Sequence, residues 1–260
     1  MTGLEILIPH EPIRMPRTAV LDFDGTVSKL RSGWETVMGP LMEEFIPGDA
    51  DEVRRLVTDY IDQSTGIQTI RQMKWLAKTV AERGGKPLDP WAYKDEYNRR
   101  LMVEVGRRRS AVRAGEEERE SYLVCGAEGF LARLRDGGAR ILAASGTDEE
   151  DVIAEADALG VSKYFDGIYG AKRNSELCSK EAVLETLVTR EDRLFVAGDG
   201  KVEIALGRRA GAVTLGLCTN DIPGDNSHTA HPAKIRRLTD AGAHALAPDF
   251  ADTDAIFQWM

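Results

Sequence analysis

Cysteine is scarce in this chain, and the few it has are scattered. Cys125, Cys178 and Cys218 form no CxxC pair and are odd in number, which excludes a complete disulfide framework and a zinc site of paired thiols. They read as small buried hydrophobes in a reducing compartment. Histidine is nearly as rare: His228 and His231 stand three apart in "HTAH", with no further ligand beside them, and His10 and His244 are remote. All four read as loop or helix-cap residues. No apolar run approaches the roughly 18 residues of a membrane span. The opening "MTGLEILIPHEPIRMPRTAV" lacks a signal-peptide core. A cytoplasmic protein with no membrane partner is expected. Positive charge is also in deficit. The net charge of −9 argues against a nucleic-acid partner, whose affinity rests on phosphate neutralisation. It leaves small anions open, because a site's local field can differ from the net charge. HExxH, GxSxG and GxxxxGK[ST] are all missing, which removes the zincin, nucleophile-elbow and Walker chemistries.

What is present is strongly patterned. "LEILI" (4–8) reads as a short strand, and "TAVLDF" (18–23) as a buried one. The next stretch is helical throughout: 34–46, 49–62, 65–85 and about 90–113, with Asp49 and Thr65 as N-caps. Ile70, Met73, Ala77 and Val80 share one apolar face. Trp34, Trp75 and Trp91 fall in this block as core anchors, and Arg107–Arg109 as a solvated helix face. From about residue 125, helices and strands alternate: strands at 140–145, 165–170, 193–198, 212–217 and 244–248, and helices at 127–136, 148–160, 179–189, 201–211, 229–241 and 251–258. That alternation predicts an α/β fold with a parallel sheet covered on both faces. The expected organisation is an α/β core of residues 1–32 and 124–260 with a helical domain, 33–123, inserted after its first long strand. Ligands of such sheets bind beyond the carboxyl ends of the strands, so the insertion is placed to cap a site there.

Three strands end in polar groups: "DFDGT" (22–26), "SGT" (145–147) and "GDG" (198–200). If they are parallel neighbours, Asp22, Asp24, Ser145 and Asp199 converge. Lys180, on the helix before the third of these strands, reaches the same place, with Lys172 as its competitor. Several carboxylates in one crevice call for a cation, and hard oxygen donors favour Mg2+ over zinc. A carboxylate can attack phosphorus, and a second acid can protonate the leaving oxygen and then activate water. A lysine and a hydroxyl can hold the charge that builds on the phosphoryl oxygens.

Taken in order, "AVLDFDGTV" (19–27), "ILAASG" (141–146), Lys180 in "SKEAVLETL" and "LFVAGDG" (194–200) resemble the four motifs of the haloacid dehalogenase superfamily, among members with a helical cap after the first core strand. The resemblance implies a Rossmann-like core and Mg2+-dependent hydrolysis of a small phosphate monoester, a sugar phosphate by superfamily habit, through an aspartyl-phosphate. It assigns Asp22 as nucleophile and Asp24 as general acid/base. Thr26 would brace the loop, and Ser145, with the Gly146 amide, would hold the phosphoryl group. Lys180 would be the neutralising cation, and Asp22, Asp199 and the Asp24 backbone carbonyl the metal ligands. Many relatives have a second Asp four residues after the last motif's first; here that position is Glu203, read as accessory. Dehalogenases of the superfamily lack the acid at Asp24 and phosphonate hydrolases have alanine there, so Asp24 indicates an ester substrate. A phosphomutase using the same aspartate, and a catalytically silent binding protein, remain alternatives. Substrate selection is assigned to Lys29 and Arg31 just after the first motif, and to Gln63, Thr65 and Gln68 in "DQSTGIQTIRQ", where plain helix capping is the competing reading. A monomer or homodimer is expected.

Overall fold

The computed structural model describes residues 1–173, 179–187 and 193–260. Cys178 and the end of the helix expected over 179–189 lie outside these residues. In chain order the strands are β1 (Glu5–Ile6), β2 (Thr18–Leu21), β3 (Arg140–Asp148), β4 (Gly167–Ala171), β5 (Leu194–Gly198), β6 (Val213–Leu217) and β7 (Ala245–Ala247). They form one sheet in the order β1-β7-β6-β5-β2-β3-β4. Every pairing is parallel except that of β1 with β7. The helices are α1 (Glu35–Phe45), α2 (Ala50–Ser64), α3 (Thr69–Glu82), α4 (Pro90–Ala114), α5 (Ala127–Asp136), α6 (Glu149–Ala158), α7 (Ser179–Ala182), α8 (Lys201–Arg209), α9 (Pro232–Asp240) and α10 (Thr253–Trp259). A π-type stretch, Val183–Leu187, follows α7.

The chain divides into two compact units, Met1–Ser32 with Arg109–Met260, and Gly33–Arg108. The first contains the sheet. Its strands are apolar on both faces because both are covered: Ala19, Leu21, Phe195 and Ala197 pack with Phe130 of α5 and Phe250, while Val20, Leu142 and Val196 pack with Val183, Leu184 and Leu206. The second unit packs α1, α2, α3 and most of α4 around Met38, Leu41, Met73, Leu76 and Tyr93. Tyr60 and Trp75 stack there at 3.6 Å between ring centroids. Trp34 and Trp75 pack against that core, whereas Trp91 lies under the Lys94 ammonium.

Two local expectations change. Thr65 does not cap α3: it ends α2, donating its hydroxyl to the Ile61 carbonyl at 2.9 Å, and Gln68 occupies the N-cap of α3. Asp49 does cap α2, accepting from the amides of Asp51 and Glu52. Residues 109–123 go with the sheet unit, because α4 runs unbroken through the division and Val112, Tyr122 and Leu123 join the sheet's core. No loop or composition change marks that point in the sequence.

Candidate active site

Strand β2 lies between β5 and β3, with Leu21 level with Ala197 on one side and Ala143 on the other. The chain leaves β2 for β3 and β4, then returns to β5 and moves on to β6 and β7. The reversal makes the ends of β2 and β5 a topological switch point, where sheets of this kind bind ligands. The residues just beyond those ends are Asp22 and Asp199, both buried.

Asp22 is positioned by its own backbone, its amide donating to the Ala197 carbonyl at 2.9 Å. Its Oδ1 accepts from the Phe23 amide at 2.8 Å. Its Oδ2 meets Lys180 Nζ at 2.9 Å, and the same ammonium reaches Glu203 Oε2 at 2.8 Å. Lys180 is only 2% exposed, so three charges share a dry interior and each depends on the others. Burial drives the Asp22 carboxyl well above the usual carboxylate range; Lys180 opposes this, and Glu203 and Asp199 add to it. Burial alone would depress Lys180, but Asp22 and Glu203 outweigh it and hold the ammonium charged. Lys172, the alternative lysine, pairs instead with Glu149 at 3.2 Å and is largely exposed.

Glu203 has both oxygens engaged, Oε2 by Lys180 and Oε1 by the Gly200 amide at 2.5 Å. A Cβ on Gly198 would lie 2.3 Å from the Glu203 Cγ, so the glycine makes room for this carboxylate under the strand end. Gly25, at φ +73°, does the same for Asp199, whose Oδ2 would be 2.3 Å from an added Cβ. The Gly of "DFDGT" therefore serves close approach as well as the turn.

Asp24 is held differently. Its Oδ2 accepts from the hydroxyls of Ser145 at 3.0 Å and Thr147 at 2.9 Å. Among the described residues its buried Oδ1 has no hydrogen-bond donor, and Arg31 Nε stands 3.8 Å away. Ser145, Gly146 and Thr147 sit where β3 shifts register against β4, and that irregularity turns both hydroxyls toward Asp24. Ser145 thus braces the second aspartate. Thr26 is fully buried, and its hydroxyl also lacks a partner among the described residues.

Several members of the cluster carry no sequence motif. Lys234 of α9 bridges Asp199 at 2.7 Å and Asp221 at 2.6 Å, and also donates to the Thr219 hydroxyl at 2.8 Å. Although burial would raise it, the Asp199 carboxyl lies low, held there chiefly by Lys234. Arg31 is buried in a double contact with Glu155, Nε at 3.0 Å and Nη2 at 2.7 Å, with Asp151 at 3.2 Å. Arg31 therefore belongs to an interior ion-pair network beside Asp24, and an expectation that it greets substrate directly finds no free guanidinium. Lys29 is also buried and reaches the Asp225 carbonyl at 3.5 Å. Gln63, Thr65 and Gln68 belong to the second unit, Gln63 exposed and Gln68 buried.

Carboxylate oxygens of Asp22, Asp199 and Glu203 lie within 4.8 Å of one another, so this buried cluster can coordinate a divalent cation. Two ammonium groups meet these acids, Lys180 at Asp22 and Glu203 and Lys234 at Asp199 and Asp221. The donors are hard oxygens, the type magnesium takes.

A family profile described as haloacid dehalogenase-like hydrolase matches residues 16–211. Among curated proteins none matches the sequence. Similar solved structures include a predicted phosphatase from Clostridium acetobutylicum, at 15% identity and TM-score 0.60, covering 94% of this chain and 97% of that one. β-Phosphoglucomutase from Clostridium difficile aligns at 15% identity and TM-score 0.59, over 94% and 97%. A hydrolase from Pseudomonas syringae aligns at 19% identity and TM-score 0.56, over 93% and 98%. At such identities the likeness concerns the fold.

Proposed function

Because this chain belongs to the haloacid dehalogenase-like hydrolases, we propose that it hydrolyses a small phosphate monoester, a sugar phosphate being the first candidate, with Asp22 as nucleophile and magnesium as cofactor. The observation that carries this reading is the buried Lys180, bonded to Asp22 at 2.9 Å and to Glu203 at 2.8 Å, beside a second aspartate whose orientation two hydroxyls fix.

In the first half-reaction a carboxylate oxygen of Asp22 attacks phosphorus in line, forming the acyl-phosphate bond as the ester P–O bond breaks. Asp24 gives its proton to the departing oxygen. In the second half-reaction Asp24 takes a proton from water, which attacks the same phosphorus, releasing phosphate and regenerating Asp22. Lys180 opposes the burial that pushes the Asp22 carboxyl up and offers its charge to the phosphoryl oxygens. Glu203, with both oxygens engaged, orients Lys180. Asp22, Asp199 and the Asp24 backbone carbonyl would hold magnesium, which supplies the neutralisation that lets a carboxylate approach an anionic phosphate.

The test is a magnesium-containing screen of phosphorylated metabolites, read for free phosphate and for isomerised product. Hydrolysis by the wild type, none by Asp22→Asn, and none in EDTA are expected. Undiminished phosphate release from Asp22→Asn would sink the assignment. Isomerised product without free phosphate would replace hydrolysis by mutase chemistry.

A further inference from the structure

We propose that Cys125, His228 and Asp249 form a second metal site, for a borderline-soft divalent transition cation of the zinc class. The three come from separate stretches of the sheet unit: Cys125 just before α5, His228 in the connection between β6 and α9, and Asp249 just after β7. Their ligand atoms nevertheless lie within 4.8 Å of one another, and all three residues are half-buried. A tetrahedral zinc ion with bonds of roughly 2.0–2.3 Å holds its ligand atoms roughly 3.3–3.8 Å apart, a spacing inside the 4.8 Å that bounds this set.

The surrounding backbone is fixed. The Phe250 amide donates to the Cys125 carbonyl at 2.9 Å, and Asp249 Oδ1 accepts from the Ala251 amide at 2.8 Å. That leaves Asp249 Oδ2 facing His228 Nδ1 at 2.7 Å. The three residues line a cavity of about 20 Å3, room for one water or one ion. A thiol, an imidazole and a carboxylate select a transition metal over magnesium, so the site differs in preference from the all-oxygen cluster at Asp22. Ionised Cys125 and Asp249 would balance a dication, with the thiol proton released on binding. Lys29 lines the same cavity, its ammonium 3.5 Å from the Asp225 carbonyl.

Cobalt(II) is the probe, titrated into the full-length protein in excess magnesium. A near-ultraviolet sulfur-to-cobalt charge-transfer band should saturate at one equivalent and be reversed by zinc. It should vanish in Cys125→Ser, weaken by about 10-fold or more in affinity in His228→Gln and Asp249→Asn, and persist in Cys178→Ser and Asp22→Asn. Circular dichroism checks that each variant folds; if Cys125→Ser does not, the His228→Gln and Asp249→Asn titrations decide. No band in the wild type, a band surviving in folded Cys125→Ser, or unchanged affinity in both His228→Gln and Asp249→Asn overturns the proposal.

Discussion

The sheet unit and the helical unit use ion pairs of nearly identical length for opposite ends. In the helical unit, Glu96 meets Arg99 at 2.7 Å and Arg100 at 2.6 Å, and Glu104 meets Arg107 and Arg108 at 2.9 and 3.0 Å. These lie along the solvent side of α4 at i,i+3 and i,i+4 spacing, where water screens them. In the sheet unit, Lys180 meets Asp22 and Glu203 at 2.9 and 2.8 Å, with every side chain at most 5% exposed. Distance does not distinguish the two sets; desolvation does. Exposed pairs can be lost cheaply because water replaces the partner. A buried partner left alone has nothing to replace it. Removable pairs suit a scaffold surface, and interdependent ones hold Asp22, Lys180 and Glu203 in one fixed arrangement in a dry place.

The sharpest way to break this contrast is Lys180→Met. It strands Asp22 and Glu203 without their shared cation, and should cost about 3–5 kcal/mol in urea unfolding as well as all turnover. Adding Glu203→Gln should restore part of the stability and none of the activity. A stability loss under about 1 kcal/mol would put the buried pair in the class of the surface ones. Next in size is Lys234→Met, which removes the bridge between Asp199 and Asp221. Asp221 is partly exposed, at 31% of its side chain, so a smaller loss of about 1–3 kcal/mol is expected. That loss should be larger in EDTA than in magnesium, because a cation at Asp199 takes over the charge of the missing ammonium. Equal losses in both conditions would separate Lys234 from the metal cluster.

The sequence disclosed the parts of this site that lie at strand ends and, through the family motifs, Lys180 and Glu203, but not Lys234 or Glu155. Asp22, Asp24, Ser145 and Asp199 follow apolar runs that can only be buried strands, so their convergence is a consequence of parallel pairing. Lys234 and Glu155 lie on helices, where a charged residue normally faces water. A signal was there. Lys234 stands four before the buried Leu238, and Glu155 three after the buried Val152, so each occupies the apolar face of its helix, where a charge needs a partner. Which partner it finds depends on how distant segments pack. His228, Cys125 and Asp249 are a stronger case: more than a hundred residues separate the first two, and no spacing rule links them. Thr65 was misplaced as the cap of α3 because Ser, Thr and Gln cluster there, and local pattern does not decide which of several polar residues ends one helix and which begins the next.

The smallest expected effect tests the other side of the contrast. Hydrogen bonds from Arg99 and Arg100 hold the Glu96 carboxyl down to about 2. A carboxyl depressed in the folded state stabilises above its unfolded value, near 4.5, and that contribution fades as pH falls toward the folded value. Glu96→Gln should therefore lower Tm slightly at neutral pH, and the gap from wild type should shrink between about pH 5 and about pH 3. It should shrink again in about 1 M salt, where screening reaches only a few ångströms. The effect on folding stays small because Glu96 and both arginines lie on a solvated helix face, where water screens their ion pairs. A gap that survived both low pH and high salt, or one that matched Lys180→Met, would mean that α4 uses its charges as the sheet unit does.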